Sequence, residues 1–331
     1  MPLHPEARAV IAEGEAAAET LEPGALSPAQ MRERFARSWR PPRDPEPVGE
    51  RYERDIPGPG GDLRIRVYRP DGEGPFPALV WFHGGGWVIG SLDENEATCR
   101  ALCRRAATVV ISVDYRLAPE HRFPAAAEDA FAAVRWVAAN GAELAVDSRR
   151  IAVGGESAGG NLAAVSALMA RDHGGPGLVL QLLASPVTAP PSEQRASYRD
   201  FAEGYFLSKA SMEWFFEQYP RDAADLANPY LAPLAAEDLG GLPPALVLTA
   251  EYDPLRDEGE EYAHRLLTAG VPCELARYPG QIHGFFALLT EQLSVSAVAH
   301  ERAASALRRA FGIDLGTAEV EKALTATEGK A

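Results

Sequence analysis

Cysteine is nearly absent from this 331-residue chain: Cys99, Cys103 and Cys273 are sparse and odd in number. That excludes a disulfide framework and fits a reducing compartment, so a cytoplasmic location is expected. Cys99 and Cys103 stand one helical turn apart but lack the further ligands a zinc site needs, which leaves core packing as their role. Positive charge is also short, with 32 Lys and Arg against 47 Asp and Glu for a net charge of −15. Such a surface is repelled by nucleic acid and by anionic membranes. No apolar run reaches bilayer-spanning length, no internal repeat occurs, and Met1-Pro-Leu-His-Pro-Glu6 lacks the basic-then-apolar order of a secretory leader. What remains is 46% hydrophobic and 24% charged, enough for a large core in one big α/β domain or two smaller ones.

The chain divides by its punctuation. Residues 1–45 read as two helices and a proline-rich linker, Pro41-Pro-Arg-Asp-Pro-Glu-Pro47. Ser27-Pro-Ala-Gln30 has the form of a capping box with proline at the first helical position, and Met31, Phe35 and Trp39 then recur on one helical face. Beyond the linker, Leu63–Arg69, Ala78–Phe82, Val109–Asp114, Ile151–Gly154, Leu178–Leu183, Ala245–Thr249 and Glu274–Tyr278 read as strands, several almost without polar residues. Runs of that kind belong to strands covered on both faces. Helical stretches at 97–106, 125–139, 161–170, 258–267 and 294–311 alternate with them, which gives a mostly parallel sheet. Residues 188–225 interrupt the alternation; within them Met212, Phe215, Phe216 and Tyr219 share a helical face. This insertion is expected to join the N-terminal helices in a cap over a catalytic domain made of 46–187 and 226–315, with 316–331 a frayed polar tail.

The chemistry gathers where Ile151-Ala-Val-Gly runs into Gly155-Glu-Ser-Ala-Gly159 and an alanine-rich helix follows. Strand, tight turn, Gly-x-Ser-x-Gly and helix form a nucleophile elbow, which makes Ser157 the candidate nucleophile. A serine hydroxyl is a weak nucleophile at neutral pH and needs a base, with a carboxylate to hold that base in the right tautomer. In such folds the order is serine, acid, histidine. Asp253 lies just past the strand 245–249; Asp257 is the rival acid, at a helix start where aspartate commonly caps or meets the dipole. Of seven histidines, His83, His121 and His173 precede the acid, His4 lies near the terminus, and His264 and His300 fall inside helices. His283 alone follows the acid in a loop after a strand. His83-Gly-Gly-Gly-Trp87 directly follows another strand, and its uncovered backbone can aim N–H groups at a developing oxyanion. Gly85 and Gly86, then Gly84, join the N–H of Ala158 as candidate donors, with His83 fixing the loop.

His83-Gly-Gly-Gly, Asp114-Tyr-Arg-Leu-Ala-Pro-Glu120, Gly155-Glu-Ser-Ala-Gly-Gly-Asn161, Asp253-Pro-Leu-Arg-Asp-Glu-Gly259 and His283-Gly-Phe285, in that order, resemble the hormone-sensitive-lipase family of bacterial carboxylesterases, family IV. The resemblance runs from about residue 60 to 311. It implies an eight-stranded α/β-hydrolase sheet, a helical cap, no cofactor and no metal, and hydrolysis of short- to medium-chain acyl esters by Ser157, Asp253 and His283. Glu156 departs from the family pattern, where aspartate or threonine is usual. The partner implied is a small-molecule ester, and homodimer formation stays open. Two other functions share these motifs: deacetylation or amide hydrolysis by the same triad, and small-ligand reception on the same fold, as in plant hormone receptors that replace the histidine.

Overall fold

The computed structural model describes residues 2–17 and 26–313, so the tail expected at 316–331 lies outside the described residues. Eight strands form one sheet: β1 (Glu50–Gly58), β2 (Gly61–Arg69), β3 (Phe76–Phe82), β4 (Val109–Val113), β5 (Val146–Glu156), β6 (Leu178–Ala184), β7 (Ala245–Tyr252) and β8 (Cys273–Ile282). Their order across the sheet is β1-β2-β4-β3-β5-β6-β7-β8. β1 and β2 pair antiparallel, as do β2 and β4, and every pairing from β4 through β8 is parallel. The sheet is therefore the expected mostly parallel one, with an eighth strand, β1, outside the seven read from the sequence. β1 pairs only with β2, and its charged residues Glu50, Arg51, Glu53, Arg54 and Asp55 hide it from a search for apolar runs.

The apolar runs are explained by two cores. On β3, Ala78, Val80 and Phe82 enter one cluster and Leu79 and Trp81 the other, so alternation between faces leaves no polar position. Helices α4 (Ala125–Asn140), α5 (Ala158–Asp172) and α8 (Arg256–Thr268) supply Val134, Leu162 and Tyr262 to the first cluster. The second takes Cys99 and Leu102 from α3 (Glu96–Ala106), Ala303 and Leu307 from α9 (Val295–Phe311), and Ala7 from α1 (Pro5–Ala17). Burying a fully apolar side chain contributes roughly 1.5–3 kcal/mol, so these layers carry the fold. Cys99 and Cys103 are buried free thiols, in agreement with a packing role.

Three further helices lie outside this frame: α2 (Pro28–Ser38), α6 (Ala196–Asp200) and α7 (Lys209–Gln218). At α2 the capping box forms as its sequence requires, Ser27 Oγ accepting from Gln30 N–H and Gln30 Oε1 from Ser27 N–H. Its apolar stripe finds little cover: α2 has no fully buried side chain, and Met31, Phe35 and Trp39 stay half-buried. What fastens it is Arg32, whose guanidinium donates to Val88 O at 2.7 Å and Ala118 O at 2.6 Å and pairs with Glu120 at 2.6 Å. α7 behaves otherwise. Met212 and Trp214 are buried, Phe216 meets Trp87 edge-on at 5.5 Å, and Tyr219 stacks on Trp87 at 4.4 Å between ring centroids. The apolar face of α7 thus takes its partners from the loop after β3.

Candidate active site

Ser157 stands between β5 and α5 at φ 61°, a left-handed backbone that a serine adopts only under constraint. The constraint is tight packing. A Cβ on Gly159 would lie 2.0 Å from Phe82 O, so glycine alone lets the helix approach the neighbouring strand this closely. Ser157 N–H donates to Ala184 O at 2.9 Å, and Ser157 O accepts from Asn161 N–H at 3.0 Å and Val187 N–H at 3.2 Å. The elbow is therefore held on three sides, while Ser157 Oγ has no hydrogen-bond partner among the described residues and Ser157 lines a cavity. α5 begins at Ala158, three residues earlier than the alanine pattern suggests, because the elbow itself supplies the first helical turn.

β8 runs on through Pro279 and Gly280 to Ile282, past the stop those residues suggest, and delivers His283 from its end. Asp253 follows β7 directly and is fully buried; its Oδ2 lies 2.8 Å from His283 Nδ1 and its Oδ1 accepts from Leu255 N–H at 2.9 Å. Burial alone would lower the basicity of His283. Asp253, by charge and hydrogen bond, and Glu156, by charge, outweigh it and hold the imidazole above its ordinary 6.5. Asp257 is engaged elsewhere: it accepts from Ser197 N–H of α6 at 2.8 Å and pairs with Arg256. The rival acid thus serves the start of a neighbouring helix.

The glycine loop completes the enclosure. Gly84, Gly85 and Gly86 line the cavity beside Ser157 and His283. Gly85 has φ +111°, and its carbonyl accepts from Val88 and Ile89 N–H, which turns the loop back on itself. His83 stacks on Tyr115 at 4.3 Å and its Nδ1 meets Gly84 O at 2.7 Å, so the histidine braces the loop from behind. Its burial pushes the imidazole below the ordinary value, which keeps it neutral there. Ala158 is the first residue of α5, where an N–H has no acceptor within the helix. The cavity measures about 160 Å³ and is walled by Phe35 of α2, Phe215 of α7, Ile89, Leu207 and Leu288 among others.

Sequence reasoning left Glu156 without a role. Its Oε1 accepts from Phe286 N–H at 3.1 Å and Ala287 N–H at 3.2 Å, so the residue preceding the candidate nucleophile grips the loop that follows the candidate base. Burial raises its pKa, opposed by His283 and those two N–H groups. The far side of the same peptide is gripped too: Phe286 O lies 2.7 Å from His300 Nε2, and Ser296 Oγ donates to Phe285 O at 2.6 Å. His300 looked like an ordinary helical histidine, and no local signal marks it, since its partner lies on another element. Ser157, Asp253, His283 and the three glycines, singled out in separate strand-end loops, are brought to one place.

Known proteins resemble this chain in sequence and in fold. A family described as alpha/beta hydrolase fold matches residues 79–287. The carboxylic ester hydrolase LipN of Mycobacterium tuberculosis is 50% identical over 240 residues, covering 70% of this chain and 63% of its own length. An arylesterase of Saccharolobus solfataricus is 43% identical over 247 residues, 72% of this chain and 78% of its own. Among solved structures, a hyperthermophilic esterase from the archaeon Pyrobaculum calidifontis superimposes with a TM-score of 0.87 at 43% identity, over 93% of this chain and 99% of its own.

Proposed function

The chain belongs to the α/β-hydrolase family and, within it, to the hormone-sensitive-lipase-like carboxylesterases, and on that premise we propose that it hydrolyses short- to medium-chain carboxylic esters by serine acyl transfer. The observation that carries the proposal is the 2.8 Å bond between Asp253 and His283 at the edge of a cavity into which the strained Ser157 opens. Ser157 Oγ attacks the ester carbonyl while His283 Nε2 takes its proton, and Asp253 keeps Nδ1 protonated and stabilises the imidazolium. The carbonyl oxygen gathers negative charge facing the N–H groups of Gly85, Gly86 and Ala158, with Gly84 beside them. One such donor typically lowers a barrier by about 2.7–4 kcal/mol. The alcohol leaves with the proton from His283, and a water that His283 deprotonates then releases the acid and restores Ser157.

Size bounds the acyl group. A cavity near 150 Å³ accommodates about one benzene ring, so about 160 Å³ suits a short chain better than a triglyceride tail. Phe35 and Phe215 form part of its wall, which supports residues 1–45 and 188–225 as a cap on the catalytic domain of 46–187 and 226–315. The test is hydrolysis of nitrophenyl esters of graded chain length by the wild type and by Ser157→Ala, with a serine-directed phosphonate as label. Loss of turnover by several orders of magnitude, labelling at Ser157 and a maximum at short chains are expected. Labelling at another residue, or tight binding of an ester analogue with no turnover by the wild type, overturns the reading.

A further inference from the structure

Two polar side chains that the proposed mechanism does not use also line the cavity: Glu94 and Asn95, just before α3. They are 8% and 5% exposed. Asn95 occupies the N-cap position of α3, where asparagine ordinarily caps, yet its side chain makes no capping bond. Its Oδ1 accepts instead from the indole N–H of Trp81 at 2.8 Å, and that donor fixes the amide so that Nδ2 is the free end. Glu94 Oε2 accepts from Ser91 Oγ at 2.5 Å, and Oε1 has no partner among the described residues. Neither Asn95 Nδ2 nor Glu94 Oε1 is among the sealed, unpartnered polar atoms of the described residues. Both residues line the cavity, and each side chain, more than nine-tenths buried, carries one polar atom without a hydrogen-bond partner among the described residues. Glu156 adds a second carboxylate to the same cavity.

A short alkyl chain uses none of this, and covering these atoms with one costs their hydration. We infer that Glu94 and Asn95 form a specificity subsite for esters that carry a hydroxyl or ammonium group on the limb that reaches them. A hydroxyl donates to Glu94 Oε1 and accepts from Asn95 Nδ2, whereas an ammonium group satisfies the carboxylate alone. An anionic limb is rejected by Glu94 and Glu156 together. The inference deepens the esterase reading and rests on it.

The test compares kcat/KM for ethyl esters of hydroxy-substituted, ammonium-substituted and carboxylate-substituted butanoate with the methyl-branched isostere. A second set carries the same groups on the alcohol of an acetate ester, which shows which limb reaches Glu94. In one of the two sets, a preference of about tenfold or more for the donor over its isostere is expected, the range of one hydrogen bond to a charged group. Carboxylate analogues should be the poorest substrates. Glu94→Leu should bring the donor-to-isostere ratio close to one, and Glu94→Gln should spare the hydroxyl preference more than the ammonium preference. Equal rates for donor and isostere in both sets, or a preference that survives Glu94→Leu, overturns the inference. Nitrophenyl acetate keeps the two failures apart: if it is cleaved in a Ser157-dependent way without a donor preference, the subsite alone is wrong.

Discussion

The loop carrying His283 and the helix α2 both border the cavity, and they are held in opposite ways. The loop is pinned from beneath by Asp253, Glu156, His300 and Ser296, four largely buried groups from β5, α9 and the turn after β7. α2 is pinned at its surface by one arginine, with no fully buried side chain of its own. A buried charge without a partner costs far more than an exposed one, so a network like that under His283 holds one geometry or fails outright. An exposed ion pair such as Arg32 with Glu120 is worth about 0–1 kcal/mol and can be released without harm to the core. The part that does the proposed chemistry is thus fixed, and one part of its cover is only fastened.

The largest effect that should expose this contrast comes from the carboxylates. Asp253→Asn, which favours the wrong tautomer of His283, is expected to lower kcat on nitrophenyl butanoate by about three to four orders of magnitude. Asp257→Asn removes a bond to α6 and should change kcat less than about threefold, with a small loss of Tm. Equal kinetic damage from both would leave the acid unassigned.

Next is Glu156→Gln, which keeps an oxygen for Phe286 and Ala287 N–H but removes a charge that helps hold His283 above its ordinary 6.5. Because His283 must be neutral to accept a proton, activity rises with pH through its pKa, and the substitution should move that midpoint to lower pH. A midpoint that stays in place would mean that Glu156 acts on the loop's shape and not on the base. Glu156→Ala, which also abandons the two N–H groups, should in addition lower kcat by roughly tenfold.

A smaller effect appears in stability. Burial, opposed by the bond to Phe286, lowers His300 from 6.5 to about 4. Between those values the unfolded chain binds the proton more readily than the folded one, so stability should fall as pH drops across that window. His300→Gln, which can still donate to Phe286 O, should reduce that loss by several degrees of Tm when melting curves at neutral and mildly acid pH are compared. An identical acid sensitivity in the variant would count against His300 as its source.

The smallest effect belongs to α2. Arg32→Ala should leave Tm within about a degree or two and broaden acyl-chain selectivity by roughly two- to threefold, as the wall formed by Phe35 loosens. An unchanged chain-length profile would show that α2 is not held by its arginine.

Much of the frame was legible because a doubly covered parallel strand writes itself as an unbroken apolar run, and Ile151 to Gly155 could hardly be read otherwise. The charges of β1 and the Pro279-Gly280 pair in β8 obscured one strand and shortened another, since edge strands and strand ends escape the burial that produces the signal. Ser157, Asp253, His283 and the glycines could be placed because each sits at the end of a readable strand. Glu156, His300 and Arg32 could not, for their meaning lies in partners 56 to 131 residues away or on another element with no local pattern. The stripes on α2 and α7 look alike in sequence, yet only α7 had Trp87 waiting for it.

The first helix has a consequence in time. His4 N–H donates to Gly280 O at 2.9 Å, and Glu6 accepts from Ser294, so α1 docks on the strand that delivers His283 and on the residue before α9. During synthesis, at about 5–20 residues per second, α1 leaves the ribosome roughly a quarter of a minute to a minute before the residues it docks on exist. For the last part of that interval, about 6–25 seconds, the nascent chain carries the candidate nucleophile Ser157 without His283. On the proposed mechanism, the order of translation therefore keeps the nucleophile apart from its base until the last strand, on which the first helix docks, has been made.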